Sequence, residues 1–130
     1  MTQITEDYVS FETAKLLKER GFNEECRAFY VKSKECGIEL FPVERNHNYN
    51  DDIYPRTSAP TLQMAMKWLR KVHEIFISLN TSFLYPIRYH CEIFCYGDNL
   101  KTQQDVITEN FESPEEACEA AIKYCLENLI

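Results

Sequence analysis

Apolar residues recur every three or four positions in three stretches of this chain. Between those stretches they bunch or alternate, as they do in strands. In SFETAKLLKERGF, Phe11, Ala14 and Leu17, with Leu16 beside them, share one face, while Glu12, Lys15, Lys18 and Glu19 take the other. That spacing predicts an amphipathic helix. Ser10 stands where an N-cap oxygen accepts from a free N–H of the first turn. Gly21 suits the left-handed position after the last turn, and Phe22 is the apolar residue that such a cap presses back onto the helix. In SAPTLQMAMKWLRKVHEIF, a wide arc of Leu62, Met64, Ala65, Met66, Trp68, Leu69 and Val72 predicts a second, central helix. Pro60 fits its first turn with Ser58 or Thr61 as cap, and no glycine stops it. The third helix opens at SPEEA, with Ser113 as cap, Pro114 in the first turn and Glu116 at the capping-box position. Its stripe is Cys118, Ala121, Ile122, Cys125 and Leu129, and it is expected to run to the end of the chain.

Two β-prone runs, 27–32 and 38–43, flank a polar turn that ends in Cys36-Gly37 and read as a hairpin. Pro42 lacks a backbone donor, which places the second run at a sheet edge or at its end. IFISLN directly after the central helix is a third strand, and IRYHCEIFCYG a fourth. In the latter, Ile87, Tyr89, Cys91, Ile93 and Cys95 share a core-like face, while Arg88, His90, Glu92, Phe94 and Tyr96 share the other. A weak strand is expected around 105–108. The order α-β-β-α-β-β-(β)-α predicts a single α+β domain over 1–130, three helices packed on a mainly antiparallel sheet of four or five strands. A parallel pair across the central helix is compatible with this order.

Composition narrows the function classes. A chain of 130 residues buries a core without metals or disulfides. A net charge of -7 opposes general nucleic-acid binding, which rests on Lys and Arg neutralising phosphates. MTQITEDYVS lacks the basic start and apolar core of a signal peptide, and no apolar run approaches the ~18 residues of a membrane span. A cytoplasmic protein with no membrane partner is expected. The six cysteines include no C-x-x-C, and four of them lie on apolar faces, so they are expected to be reduced and largely buried.

No phosphate loop, nucleophile elbow, H-E-x-x-H or glycine-rich fingerprint occurs. Trp68 and His73 read as core and core-edge residues of the central helix. What remains is ERNHNYNDDIYPRTSAP, 44–60, the one long stretch without a helix or strand period. Connections beyond ~12–15 residues tend to be functional or disordered. Against that, Asn46, Asn48, Asn50, Asp51 and Asp52 are turn formers that satisfy their own backbone. Tyr49, Ile53 and Tyr54 are the residues able to anchor the stretch to the body. The candidate binding set is His47, Asp51, Asp52, Tyr54 and Arg56, with His90 on the polar strand face. His47, Asp51 and Asp52 carry metal-binding atoms, but the glycine and glutamate of a calcium loop are missing. No metal, cofactor or catalytic residue is expected.

Three blocks, VSFETAKLLKERGFNEECRAFY, SAPTLQMAMKWLR with VHEIFI after it, and SPEEACEAAIKYCLENLI, resemble small uncharacterised proteins common in phages and integrated mobile elements of gut Bacteroides-type bacteria. They cover roughly half of the chain, and the segment before Ser58 is longer and more polar than in that group. The resemblance implies a phage or mobile-element origin and no particular activity. The expectation is a non-catalytic accessory protein that binds another protein or pairs with a second copy of itself. The alternative is a small-molecule-binding protein or small enzyme using the 44–60 stretch and the His90 face.

Overall fold

The computed structural model describes residues 5–51, 55–82, 85–96, 102–106 and 109–130, with the backbone alone described for Tyr96 and 102–106. It is an α+β protein with three helices and antiparallel strands. The strands form two three-stranded sheets instead of the one sheet expected. The chain divides into two compact units, 1–61 and 62–130.

The first unit begins with helix α1, Phe11–Glu19. The Ser10 hydroxyl accepts from Thr13 N–H at 3.3 Å. At the other end Gly21 takes φ 89°. Its N–H donates to Lys18 C=O at 3.2 Å, and Phe22 N–H donates to Leu17 C=O at 2.9 Å. This pair of bonds satisfies the last carbonyls of the helix, and the fully buried Phe22 closes it from below. Strands β1, Cys26–Ser33, and β2, Gly37–His47, form the expected hairpin, longer at both ends than the apolar runs suggest. Gly37, at φ 75°, relieves the turn, and the Ser33 hydroxyl accepts from Cys36 N–H at 2.8 Å. Strand β3, Arg56–Ser58, pairs with the other side of β1, giving the order β2-β1-β3. Pro42 therefore lies on an edge strand, as its missing donor requires.

The 44–60 stretch is thus no structureless connection. Its start continues β2, Tyr49–Asp51 is a 3-10 turn, and its end supplies β3. A three-residue strand among turn formers has too short a period to stand out in the sequence. Tyr49 anchors the stretch at 4% exposure. Ile53, the other non-candidate anchor, lies outside the described residues.

The second unit opens with helix α2, Leu62–His73. It begins two residues after Pro60, and Ser58 belongs to β3, so neither takes the role expected at this helix start. Leu62, Ala65, Met66, Trp68 and Leu69 are buried, whereas Val72 is 54% exposed, so the apolar arc is narrower than its sequence. With no glycine to end the helix, Glu74 itself adopts φ 55° and turns the chain into β4, Ile75–Thr81. Strands β5, Tyr89–Tyr96, and β6, Thr102–Val106, complete an antiparallel sheet in the order β4-β5-β6. The weak strand foreseen at 105–108 lies a few residues earlier, and 107–108 fall outside the described residues. Among the described residues, no parallel pair spans α2, because the strands before and after it lie in different sheets.

Helix α3, Pro114–Asn128, packs on β5, β4 and α2. The Ser113 hydroxyl accepts from Glu116 N–H at 3.2 Å, and Pro114 occupies the first turn. Ala117, Cys118, Ala121, Ile122, Cys125 and Leu126 are buried against a sheet face that holds Ile75, Cys91 and Ile93. All six cysteines are free thiols and four are buried, as expected of most of them; Cys95 is half-buried, and Cys36, in the β1–β2 turn, is exposed. Cys91 shares a hydrogen bond with Cys118 across the β5–α3 contact; that bond, followed by burial, pushes its thiol well above the usual range. Among the described residues, no helix is long and apolar enough to cross a membrane.

Candidate binding face of the first unit

Strand β1 has two faces by alternation. Cys26, Ala28, Tyr30 and Lys32 share one, and Arg27, Phe29, Val31 and Ser33 share the other. The first face is core. Cys26 and Ala28 are buried, and the Tyr30 ring meets Phe11 of α1 edge-on with centroids 5.6 Å apart. The Tyr30 hydroxyl donates to Val9 C=O at 2.6 Å. Burial also pushes the Cys26 thiol up to about 12. The second face is therefore turned away from α1.

The hairpin register decides what stands on that second face. Ser33 pairs with Gly37 at the turn, which places Phe41 opposite Phe29 and Glu39 opposite Val31. On the other side of β1, Arg56 falls opposite Val31. Residues directly opposite point the same way. The Phe29 and Phe41 rings stack at 5.6 Å, and Tyr49 leans on Phe29 at 4.7 Å. The His47 ring meets Tyr49 edge-on at 5.0 Å. The Arg56 guanidinium lies over Phe29, 4.8 Å from its centroid. Such a cation–π contact contributes about 0.5–1 kcal/mol at an exposed site. The result is a row of four rings with a cation over one of them, and Phe41 at its end is 40% exposed.

The 3-10 turn that carries Tyr49 is held by side-chain amides. Asn48 Oδ1 accepts from Asn50 N–H at 3.1 Å, the self-satisfying turn expected of asparagine. Asn50 Nδ2 donates to Phe22 C=O at 2.8 Å, and its Oδ1 accepts from Ser58 N–H at 2.9 Å. One side chain thus ties the end of α1 to β3. The Tyr49 hydroxyl donates to Arg45 C=O at 2.9 Å, fixing the ring against Phe29.

Of the candidate residues, the structure brings His47 and Arg56 onto one aromatic cluster. Asp51 stands exposed on the 3-10 turn, joined to neither by a hydrogen bond or an ion pair. Asp52 and Tyr54 lie outside the described residues. His90 belongs to the second unit, half-buried on β5 opposite Asn80 of β4. Among the described residues, no group of three or more His, Cys, Asp or Glu side chains is placed to hold a metal ion. Phe29 and Phe41 were missed as site residues because each reads as an ordinary strand aromatic. The signal that finds them is the turn: a hairpin closed by Ser33 and Gly37 puts 29 opposite 41.

A scan against models of protein families returned no match, and searches of curated proteins and of solved structures returned none either.

Proposed function

We propose that this is a cytoplasmic, non-catalytic accessory protein of a phage or mobile element that acts by binding another protein. The contact surface is the face of the first sheet built from Phe29, Phe41, Tyr49, His47 and Arg56. The observation that carries the reading is the ring row itself, with the guanidinium over Phe29 and Phe41 left 40% exposed. Aromatic residues and arginine are enriched in interface cores and among the side chains that dominate binding energy. A partner that covers the exposed part of Phe41 removes apolar area from water at roughly 25 cal/mol per Å². The net charge of -7 leaves nucleic acid an unfavourable partner.

The test is affinity capture from infected or lysogenic host cells, read by mass spectrometry, with the wild type and Phe41→Lys compared side by side. Phe41 is half in solvent, so the variant is expected to keep its thermal midpoint and to lose the captured protein. Equal capture by both proteins would show that binding, if any, lies elsewhere.

A further inference from the structure

Strand β4 forms one edge of the second sheet, and two hydrogen-bond pairs beyond its ladder fix the direction of its backbone groups. Ser82 N–H donates to Arg88 C=O at 2.9 Å, so the pair following Thr81 and Tyr89 is bonded across β4 and β5. Tyr89 instead exchanges both backbone bonds with Phe111, at 2.9 and 2.8 Å, on the side away from β4. Bonded and non-bonded pairs alternate in an antiparallel ladder. The register runs unbroken from Ile75 opposite Cys95 to Thr81 opposite Tyr89. Phe76, Ser78 and Asn80 therefore bond to β5, and the N–H and C=O groups of Ile75, Ile77, Leu79 and Thr81 point outward along the edge.

Among the described residues, no further strand covers that edge. The strand reads IFISLNT, with no charge, proline or glycine. Those are the usual devices that stop an edge from pairing. Leu79 is 44% exposed although it stands on the face that α3 covers at Ile75.

We propose that β4 pairs antiparallel with β4 of a second copy of this chain, about a two-fold axis through Ser78, to make one continuous six-stranded sheet. The strand is self-complementary in that register. Ile75 meets Thr81 of the other copy and Ile77 meets Leu79, so every outward-pointing backbone group over the strand faces another. A shift by one residue would set outward groups against groups already bonded to β5, and a larger shift leaves strand ends unpaired. Side chains agree with backbone. Leu79 is covered by Ile77 of the other copy, Phe76 meets Asn80, and no like charges face each other. The surface lies in a different unit from the aromatic face, so either reading can fail without the other.

Sedimentation velocity on the full chain at tens of micromolar tests the pairing. A dimer is expected, with Leu79→Lys weakening it at least ~10-fold while the far-ultraviolet circular dichroism spectrum stays unchanged. Register is tested separately by Ser78→Cys in a Cys36→Ser background. The two-fold places residue 78 against itself in a non-bonded pair, whose Cα separation of about 4.5 Å lies within disulfide range. Mild oxidation should give a covalent dimer, and Asn80→Cys in the same background should not. A monomer at these concentrations overturns the proposal, including a monomer that binds a foreign strand peptide. So does a dimer that Ser78→Cys fails to cross-link.

Discussion

Asn50 spends both ends of its amide on the first unit, and few side chains could replace it. Its donor goes to Phe22 C=O and its acceptor receives Ser58 N–H. Ser58 is fully buried, so without the acceptor its N–H has no access to water. A buried donor left unsatisfied costs about 1–3 kcal/mol. Asn50→Ala is expected to lower unfolding stability by that amount in a urea titration, and Asn50→Asp to lower it too, because a carboxylate would face the Phe22 carbonyl. Asn46→Ala is the control. It removes an exposed bond of 3.0 Å to Glu25 and should change stability by less than ~0.5 kcal/mol. His73 makes a second residue-scale case. Its ring meets Trp68 edge-on at 4.7 Å, and among the described residues its buried Nε2 has no hydrogen-bond partner. Burial lowers its pKa from the ordinary 6.5. The unfolded chain then binds more protons than the folded one just below that value, so stability rises with pH through this window. The contribution is fully present above 6.5 and is lost as pH falls towards the lowered folded value. His73→Gln should flatten the rise just below pH 6.5 relative to the wild type, measured by urea midpoints. An unchanged slope would assign the pH dependence to other groups.

Helix caps and helix faces were legible in the sequence because each is a local signal. Ser10, Gly21, Phe22, Ser113 and Pro114 all hold the positions that their chemistry prescribes. The α3 stripe was legible over Cys118, Ala121, Ile122 and Cys125, but Leu126 is buried alongside it, and Leu129, expected in the stripe, is the half-buried C-cap of a helix that ends at Asn128. Sheet membership was not, because no local pattern says which strands share a ladder. β3 takes its place beside β1 by pairing Arg56, Thr57 and Ser58 with Val31, Tyr30 and Phe29, residues far apart in sequence. The candidate site was half legible for the same reason. His47 and Arg56 stood out as polar residues in a long connection, but the rings they sit on come from the hairpin register. The end of α2 misled in the opposite sense: Val72 has helical spacing, yet it lies exposed beside the Glu74 turn. Burial along α3 gives a direct test at this scale. Ile122 is fully buried, and Ile122→Ala should cost about 2–5 kcal/mol by lost burial and the cavity left behind. Glu127→Ala, exposed on the same helix, should stay within ~0.5 kcal/mol. Similar losses from both would mean that α3 docks through a different face.

Across the whole molecule the six thiols report on packing in both units at once. Cys26 lies in the core of the first unit, while Cys91, Cys118 and Cys125 are buried together between β5 and α3 of the second. Thiolate is the reactive form, and burial holds Cys26 at about 12 while its hydrogen bond to Cys118 and burial hold Cys91 higher still. These groups lack both a path to a reagent and the charge to attack it. Cys36 stands exposed in the β1–β2 turn, open to a reagent, and Cys95 is half-buried near the end of β5. An aromatic disulfide reagent at about pH 8 should therefore label Cys36 rapidly and Cys95 more slowly. The remaining four should react only as fast as their unit opens, because protection of a core group follows the free energy of the opening that exposes it. Denaturant added without reductant should then bring the total to six. Cys36→Ser should remove the fast phase and leave the slow ones unchanged. Rapid labelling of Cys118 or Cys125 in the native protein would show instead that α3 leaves the sheet readily, and a total below six would reveal a disulfide where the fold places free thiols.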